Sequence, residues 1–390
     1  MLFVLTAHIT FGQINTADEV PEIRFTTLLN ANTKSAKLSG LKGKVVLIEF
    51  WATWCGSCLV AMPHLKTLQA KYPKALQIIA VTDESATRAQ QFIKSKPQNF
   101  WIVSDTAATI AKMFPHQLIP HSVLISPAGK LIATTSPELI TEKVIDSILR
   151  RQQVHLAEKR DSMISADELI KRNFFATDSV QTRFLMQNEI KGASGMSTTW
   201  LNDPSFSNRR LTAINLPLSS LYAIAFGNFP YGRTINKIKS TKDEAIYCLD
   251  IISKSPDQLL SDLQQALAKR FDVQAMVQQM QQEVQVLKIV DPAKFNALKR
   301  NQSGKRTYYS RHGEIDQQAL TMTNFADFLE NYGVHKLVTD ETSNQEKFDI
   351  KFSFQPEDPK TLLAILSDMG LSLVKEQRPV DMLILYELEN

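Results

Sequence analysis

The sequence predicts two domains, an α/β domain over about residues 17–151 and an α+β domain over 206–390. A chain of 390 residues is too long for one ordinary core, because domains cluster near about 100 to 200 residues. Strand-like and helix-like segments alternate along the first part, which is typical of an α/β domain. The last part contains a weak internal repeat, which predicts two similar α+β halves.

The first domain begins with a strand at 45–50, Val-Val-Leu-Ile-Glu-Phe, whose nearly unbroken apolar run is expected of a strand buried on both faces. A helix from Cys55 to about Tyr72 follows, because apolar residues recur there at helical spacing. The later predicted elements are, in order, strand 75–81, helix 86–96, strand 100–103, helix 106–114, strands 122–126 and 130–134, and helix 138–151. This order is a βαβ arrangement that ends in a hairpin, with Pro127-Ala128-Gly129 as its turn.

Residues 152–205 are polar and charged, and they predict a connector with one helix at 166–175. The second domain divides into the halves 206–300 and 307–390 on the basis of repeated patterns. Leu211-Thr212 with Asn215 recurs as Leu320-Thr321 with Asn324, and 249–251 recurs as 348–350. The predicted elements that follow are helices 256–271 and 359–369 and strands 284–290 and 380–388. Chance resemblance between short α+β segments is the alternative.

Residues 1–16 begin with a short apolar run, MLFVLTAHITFGQ, that ends in small and polar residues. This pattern is typical of a secretory signal peptide and predicts the remnant of one. The run is too short to span a bilayer, and no lysine or arginine precedes it. A cytoplasmic protein with an apolar first strand is the alternative. We expect an exported protein of the periplasm or cell envelope.

The composition is that of a soluble globular protein, with 44% hydrophobic and 22% charged residues. Lysine and arginine number 44 against 40 aspartates and glutamates, a balance too even for a phosphate-binding surface. The sequence therefore predicts no nucleic-acid partner. Three cysteines are too few for a disulfide-stapled scaffold, and two of them stand in one C-x-x-C, which indicates redox chemistry.

The strongest chemical signal is segment 51–58, Trp-Ala-Thr-Trp-Cys-Gly-Ser-Cys, where a buried strand passes into a helix. Cys55 is at the helix N-terminus, where unpaired backbone N–H groups and the macrodipole stabilise a thiolate. Cys58 follows one helical turn later, close enough for a disulfide but less exposed. We predict that Cys55 attacks and Cys58 resolves, with this pair as the redox group and no further cofactor.

Other uses of these cysteines remain open at this point. A structural zinc site needs four ligands, and the sequence offers no second C-x-x-C and no histidine pair at ligand spacing, so we predict no metal. Inert core cysteines are an alternative, because cysteine is often buried. Cys248 stands alone in an apolar strand pattern and predicts a buried thiol, with intermolecular pairing or substrate trapping as alternatives.

Glu49 is the one acid within the buried strand, and a buried carboxylate is costly unless it is paired, protonated or used. A carboxyl of raised pKa beneath Cys58 would take the proton of the resolving thiol, directly or through water. The alternatives are a solvated strand end and an ion pair with a lysine. Pro63 lies within the helix pattern, where a proline removes a backbone hydrogen bond and kinks the helix, so its predicted role is structural.

Residues 17–150 resemble the TlpA and ResA group of periplasmic or membrane-facing thioredoxin-like reductases. The resemblance lies in Leu41-Lys42-Gly43-Lys44, F-W-A-T-W-C-G-S-C, Pro63, Pro120 and Pro127-Ala128-Gly129-Lys130. It implies a thioredoxin fold and reduction of disulfides in exported proteins, often apocytochromes c, with electrons from a membrane thiol reductant. Ser57 replaces the commoner proline, and Ala61 replaces an acid of some cytochrome-maturation members, so an apocytochrome substrate is not assumed.

The same resemblance implies roles for individual residues. Cys55 is the nucleophile, Cys58 is the resolving thiol and Glu49 occupies the buried-acid position of thioredoxins. Pro120 is the substrate-binding proline, with a cis peptide bond to Ile119, and we further predict Trp54 and Ile119 as substrate-binding residues. Residues 205–390 resemble an uncharacterised exported domain family expanded in soil bacteria, through the L-T-x-x-N segments, F-D-I-K-F and V-D-M-L-I-L. That family has no established chemistry, and binding is the expected role.

These observations together predict an exported thiol–disulfide reductase that acts on disulfide-containing envelope proteins by dithiol–disulfide exchange. A thiol peroxidase is one alternative, although a proline is expected shortly before its T-x-x-C nucleophile and 50–54 contains none. A non-enzymatic envelope binding protein with a vestigial redox domain is the other. The direction of exchange stays open between reductase, oxidase and isomerase.

Overall fold

The computed structural model describes residues 14–200, 203–239, 241–311 and 313–387. The chain divides into two compact units between Met163 and Ile164. The predicted signal segment lies outside the described residues except for positions 14–16. No helix in the described ranges combines the length and apolar character that crossing a bilayer requires.

The first unit is an α/β domain built on a six-stranded sheet. Its strands are β1 Arg24–Phe25, β2 Leu28–Leu29, β3 Ala36–Lys37, β4 Val45–Phe50, β5 Leu76–Thr82, β6 Trp101–Ser104, β7 His121–Ile125 and β8 Leu131–Thr135. Its helices are α1 Gly56–Lys71, α2 Ala86–Ser95 and α3 Glu142–Leu149. The sheet order is β2-β6-β5-β4-β7-β8, with β4 parallel to β5 and antiparallel to β7. The predicted thioredoxin-like α/β fold is confirmed.

Strand β4 lies in the middle of this sheet, and all of its residues are buried. Val45 and Leu47 belong to the core cluster that also contains the cysteines and apolar residues of α1. Val46 and Ile48 belong to the cluster on the opposite face. Because side chains alternate along a strand, Glu49 points to the face that carries α1.

Two helices of the first unit are shorter than the sequence predicts. The predicted helix 106–114 is wrong, because only a 3-10 turn forms there, Ala111–Met113. The carboxylate of Asp105 accepts hydrogen bonds from two backbone N–H groups of this segment, at 2.9 and 2.7 Å, and so stabilises a turn that competes with a helix. The predicted helix 138–151 splits into a 3-10 turn, Pro137–Leu139, and α3.

The second unit mixes helices with three sheets. Its strands are β9 Arg183–Asn188, β10 Met196–Thr199, β11 Arg210–Pro217, β12 Thr234–Asn236, β13 Ile246–Ile252, β14 Val273–Ile289, β15 Ser310–Arg311, β16 Glu314–Leu320, β17 Val338–Asp340, β18 Phe348–Ser353 and β19 Leu371–Glu387. Its helices are α4 Ala166–Asn173, α5 Leu218–Ala225, α6 Leu259–Phe271, α7 Pro292–Asn296, α8 Met322–Phe328 and α9 Pro359–Asp368. The sheet orders are β10-β11-β13-β9, β12-β19-β14-β17 and β15-β16-β18. The predicted α+β class is confirmed.

The prediction that 152–205 is a connector is wrong. Strands β9 and β10 from this segment form both edges of the sheet that contains β11 and β13. Their residues are half-buried or exposed, so no apolar run marks them in the sequence. The predicted helix near 166–175 is present as α4.

The predicted internal repeat is present as two successions of the same elements, β11-α5-β12-β13-α6-β14 and β16-α8-β17-β18-α9-β19. The long strands β14 and β19 pair antiparallel from Val273 opposite Glu387 to Ile289 opposite Leu371. The short strand of each half pairs in parallel with the long strand of the other half. The predicted strands 284–290 and 380–388 correspond, within the described residues, to the ends of β14 at 284–289 and of β19 at 380–387. The largely exposed beginnings of both strands carry no apolar run.

The residue correspondence predicted between the halves is wrong in register. Leu320 ends β16 just before α8, whereas Leu211 lies near the start of β11. The counterpart of Leu320 is Leu216, since each follows a break in strand register. Asn215 and Ala319 stand directly before them with φ of 51° and 54°. The short repeated sequence pattern therefore did not identify this shared break in strand register.

Candidate active site

The C-x-x-C segment lies at the start of α1, directly after β4. Cys55 and Cys58 form a disulfide whose Cα atoms are 5.3 Å apart. Cys55 caps α1, because its Sγ accepts a hydrogen bond from the backbone N–H of Cys58 at 3.2 Å. A sulfur in this place is stabilised as an anion once the disulfide opens. The structure therefore brings together the predicted redox pair at the predicted helix end.

Cys55 exposes 5% and Cys58 2% of its surface, so both residues are nearly buried while the disulfide is closed. The neighbours of Cys55 are more accessible, since Gly56 and Ser57 are exposed and Trp54 exposes 43% of its surface. This rim is the accessible part of the site. Trp54 is an exposed aromatic side chain next to Cys55, and its substrate-binding role stays a prediction.

Pro120 lies at the same end of the sheet as the disulfide. Its peptide bond with Ile119 is cis, as the resemblance implies. Strand β7 begins directly after it and is antiparallel to β4, with His121 opposite Phe50. The last residue of β4 and the first residue of β7 are therefore paired at one end of the sheet. Ile119 packs against the core cluster that contains both cysteines.

Glu49 is buried on the α1 face of β4 and exposes 3% of its surface, so the alternative of a solvated strand end is wrong. Its Oε2 accepts a hydrogen bond from the Ser122 hydroxyl, and its Oε1 has no hydrogen-bond partner in the described structure. Desolvation raises the pKa of Glu49 to about 8, against the smaller lowering effects of the Ser122 hydrogen bond and the charge of Lys159. A proton-transfer role for Glu49 stays a prediction.

A second buried carboxylate, Glu84, holds the loop before Cys55, and the sequence did not predict it. The Thr53 N–H donates to Glu84 Oε2 at 2.6 Å, and the Thr53 hydroxyl donates to Oε1 at 2.8 Å. Both residues are buried. These bonds fix the backbone two residues before Cys55. An acid two residues after the end of strand β5 was the available signal, but its partner is visible only in the fold.

Two histidines lie beside the segment that leads to Pro120, and they too were missed. The rings of His116 and His121 are stacked with centroids 4.7 Å apart, and both lie against Phe50. His121 is buried, and neither of its ring nitrogens has a hydrogen-bond partner in the described structure. Desolvation lowers the pKa of His121 to about 3, with a further lowering by the charge of His116. Desolvation also lowers the pKa of His116.

The remaining predicted residues have structural surroundings. Pro63 lies inside α1 and is exposed, where it contributes no backbone N–H to the helix. Cys248 is a buried free thiol in β13, as predicted. Its Sγ donates to Asn215 Oδ1 at 3.1 Å and accepts from the Asn215 N–H at 3.2 Å. Within the described ranges, no three His, Cys, Asp or Glu side chains are grouped so that they could hold a metal ion.

The first unit thus combines a mixed sheet, a C-x-x-C disulfide at the start of a long helix and a cis proline before the adjacent antiparallel strand. These features define a TlpA/ResA-like thioredoxin-fold domain. Residues 15–149 match the Redoxin family. Residues 237–388 match DUF3738, a protein family of unknown function, which confirms the predicted resemblance of the second domain to an uncharacterised family.

The first unit is also similar to individual proteins of this class. The thiol–disulfide oxidoreductase ResA of Bacillus subtilis (strain 168) is 35% identical over 121 residues, which are 30% of this chain and 66% of that protein. ResA of Oceanobacillus iheyensis is 26% identical over 144 residues, which are 34% of this chain and 75% of that protein. The chain thus spans slightly less than two thirds of the Bacillus subtilis relative. A crystal structure described as the thiol:disulfide interchange protein DsbE from Chlorobium tepidum is 28% identical, with a TM-score of 0.32, and covers 35% of this chain and 99% of that chain.

Proposed function

We propose that this protein is a thiol–disulfide oxidoreductase that reduces disulfides in other proteins. The observation that carries the proposal is the Cys55–Cys58 disulfide at the start of α1, with the Cys58 N–H directed at Cys55 Sγ. A thiolate at Cys55 gains from that hydrogen bond and from the helix dipole, so it forms at a lower pH than a free thiolate. The closed disulfide is the product state of the reductase cycle.

The proposed cycle begins with both cysteines reduced. The Cys55 thiolate attacks one sulfur of a substrate disulfide, which forms a mixed disulfide and releases the other substrate sulfur as a thiolate. The Cys58 thiolate then attacks Cys55 Sγ, re-forms the internal disulfide and releases the second substrate sulfur. Two electrons pass from the enzyme to the substrate in each cycle. An external thiol donor must return two electrons to Cys55 and Cys58.

Glu49 fits the proton transfer that this cycle needs. Cys58 must lose its proton before it attacks the mixed disulfide, and it lies in the same core cluster as the β4 residues that share Glu49's face. A carboxyl whose pKa is about 8 exchanges protons readily near neutral pH. Ionised Glu49 therefore serves as the proposed base, and protonated Glu49 is its resting state at pH 7.

Trp54, Ile119 and Pro120 form the proposed substrate contact. Trp54 is exposed beside Cys55, and the Ile119–Pro120 segment precedes β7 at the same end of the sheet. An extended substrate segment that pairs with the backbone beside Pro120 would present its disulfide to Cys55. The apolar N-terminal sequence supports export, so the proposed substrates are envelope proteins and the proposed donor is a membrane thiol reductant.

The test is insulin-disulfide reduction by the full chain with dithiothreitol as the donor. We expect the wild type to accelerate reduction and Cys55→Ser to abolish the acceleration, because no nucleophile remains. Prereduced Cys58→Ser, mixed with insulin after the dithiothreitol is removed, should form a mixed disulfide that accumulates, since the resolving thiol is missing. Cys248→Ser is the matched control and should retain wild-type activity, because Cys248 lies in the core of the second unit.

Other outcomes would favour the rival functions. If the wild type does not reduce insulin but consumes peroxide in a Cys55-dependent reaction, the protein is a thiol peroxidase. If it does neither, the redox domain is vestigial. Envelope extracts passed over immobilised Cys58→Ser should yield disulfide-linked proteins, and their absence would argue against protein substrates. Fractionation of cells that express the chain tests export directly.

A further inference from the structure

Residues 154–161, here called the strap, follow α3 and run along the edge strand β8. The backbone N–H of Lys159 donates to Thr134 O at 3.0 Å, and the Thr135 hydroxyl donates to Ala157 O at 2.7 Å. Val154 and Leu156 pack against the core cluster that contains the disulfide. The strap is therefore an integral part of the first unit, although the Redoxin match ends at residue 149.

Two charged side chains of the strap hold the backbone just before Pro120. Asp161 Oδ2 accepts hydrogen bonds from the N–H groups of Gln117 and Leu118, at 2.8 and 2.7 Å. Lys159 Nζ donates to Leu118 O at 2.5 Å. Lys159 Nζ also lies 3.4 Å from Asp161 Oδ1, so the two charges support each other.

The two side chains that make these contacts are largely withdrawn from water. The side chain of Asp161 is 2% exposed and that of Lys159 is 19% exposed. Hydrogen bonds to ionised groups are stronger than those between neutral groups, and burial strengthens them further. Three main-chain groups of Gln117 and Leu118 thus depend on the strap. The backbone that enters the Ile119–Pro120 cis peptide is held from outside the loop itself.

We propose that Asp161 and Lys159 are positioning residues that set the conformation of the loop 117–120 and thereby the binding of extended disulfide substrates. The inference rests on the proposed function, because it assumes that substrate backbone pairs beside Pro120. Neither side chain takes part in sulfur exchange. Loss of their hydrogen bonds to the loop should weaken the binding of a protein substrate and leave the reactivity of Cys55 unchanged.

Asp161 is the better residue to change first. Lys159 also acts on Glu49 through its charge, so a Lys159 variant would alter both the loop and the proposed base. Asp161→Asn keeps an acceptor oxygen but loses the charge, and Asp161→Ala loses both. The matched control is Arg160→Ala on the same strap, since that side chain is 79% exposed and pairs with Glu158.

The kinetic experiment uses the prereduced full chain, with insulin or the small disulfide hydroxyethyl disulfide as oxidant. Loss of two charge-assisted hydrogen bonds and of the ion pair with Lys159 predicts that Asp161→Ala raises the half-saturating insulin concentration about tenfold, with a smaller rise for Asp161→Asn. The maximal rate and the reaction with hydroxyethyl disulfide should stay within about twofold of wild type, and Arg160→Ala should match wild type throughout. If Asp161→Ala reacted more slowly with both oxidants to the same extent, or if its half-saturating insulin concentration were unchanged, the inference would be overturned.

Amide hydrogen exchange tests the positioning without any assay of activity. The amides of Gln117 and Leu118 should be protected in the wild type and should exchange at least about tenfold faster in Asp161→Ala. Unchanged protection would refute the positioning role whatever the kinetics show. If the wild type reduces neither oxidant, the proposed function fails by itself, and the exchange measurement still decides whether the strap holds the loop.

Discussion

Buried ionisable side chains are arranged differently in the two units. In the first unit, Glu49 lacks a partner at one carboxylate oxygen and His121 lacks partners at both ring nitrogens within the described structure. In the second unit, the fully buried Asp250 accepts hydrogen bonds from Arg183, Arg210 and Thr212. The buried Glu330 accepts from the Arg233 guanidinium and from the Val338 N–H.

This difference distinguishes ionisable groups near a reactive site from ionisable groups that only stabilise the fold. A buried ionisable group without full compensation costs stability and shifts its pKa, and such groups concentrate where a proton must move. A buried ion pair with satisfied hydrogen bonds retains its charge, and removal of one partner exposes the cost of burying the other. Asp250 and Glu330 of the second unit therefore hold strands and halves together, whereas Glu49 and His121 of the first unit lie in the strands that lead to the disulfide and away from the cis proline.

The largest expected effect is on the second unit. Asp250→Ala should lower its free energy of unfolding by about 3–5 kcal/mol, because Arg210 stays buried without its counter-charge. The guanidinium of Arg210 is packed 4.1 Å from the Trp200 ring centroid and cannot easily reach water. Urea denaturation followed by circular dichroism measures the loss. Insulin reduction by the folded fraction should be unchanged.

The matched control uses the other half of the repeat. Asp316 stands on β16 where Thr212 stands on β11, opposite Lys351 where Asp250 lies in the first half. The Asp316–Lys351 pair is 42% and 76% exposed, so Asp316→Ala should cost less than about 1 kcal/mol. Equal losses from the two variants would show that burial does not distinguish these pairs.

The second prediction concerns Glu49→Gln in the first unit. Resolution of the mixed disulfide should slow by about 100-fold at pH 7, because Cys58 loses its base. In the wild type the rate should rise with pH up to about 8, as Glu49 becomes ionised, and that rise should vanish in the variant. Single-turnover release of reduced insulin between pH 6 and pH 9 measures both effects.

Two further results sharpen the assignment of Glu49. Ser122→Ala removes a hydrogen bond that lowers the pKa of Glu49, so the rise in rate should move to higher pH. Because the folded chain binds the Glu49 proton more tightly than the unfolded chain, wild-type stability should fall as pH rises from about 4.5 to about 8. Glu49→Gln should remove that decline. An identical pH–rate profile in Glu49→Gln and wild type would contradict the proposed base.

The smallest expected effect is the acid sensitivity caused by His121. Its pKa is lowered from 6.5 to about 3. Between these pH values the unfolded chain therefore binds a proton at this residue and the folded chain does not. Stability should therefore decrease as pH falls through this interval, by about 1–2 kcal/mol between pH 7 and pH 5. His116 and Lys159 lower this pKa together with burial, and Asp161 opposes them.

His121→Gln should reduce this loss, which denaturation at pH 7 and pH 5 measures. The exposed His155 offers the matched control, because His155→Gln changes a histidine of the same unit that is not buried. If both variants retain the full acid sensitivity of the wild type, the buried His121 is not its source.

Local signals predicted much of the first unit, and their failures have physical causes. The apolar run of β4 and the helical spacing after Cys55 lie within a few residues, so their period reveals the element. The same method failed at 106–114, where Asp105 hydrogen-bonds the backbone and stabilises a turn. It also failed at β9 and β10, whose half-exposed residues give no apolar period.

The sequence alone determined the redox pair, the strand before it and the helix that Cys55 caps, because all three depend on neighbours along the chain. The tertiary structure decided which distant groups meet this site. Thr53 and Glu84 are 31 residues apart and share a buried hydrogen bond, and Leu118 and Asp161 are 43 apart and share a partly buried one. Such pairings follow from strand order and from the course of the strap, and neither leaves a local period in the sequence.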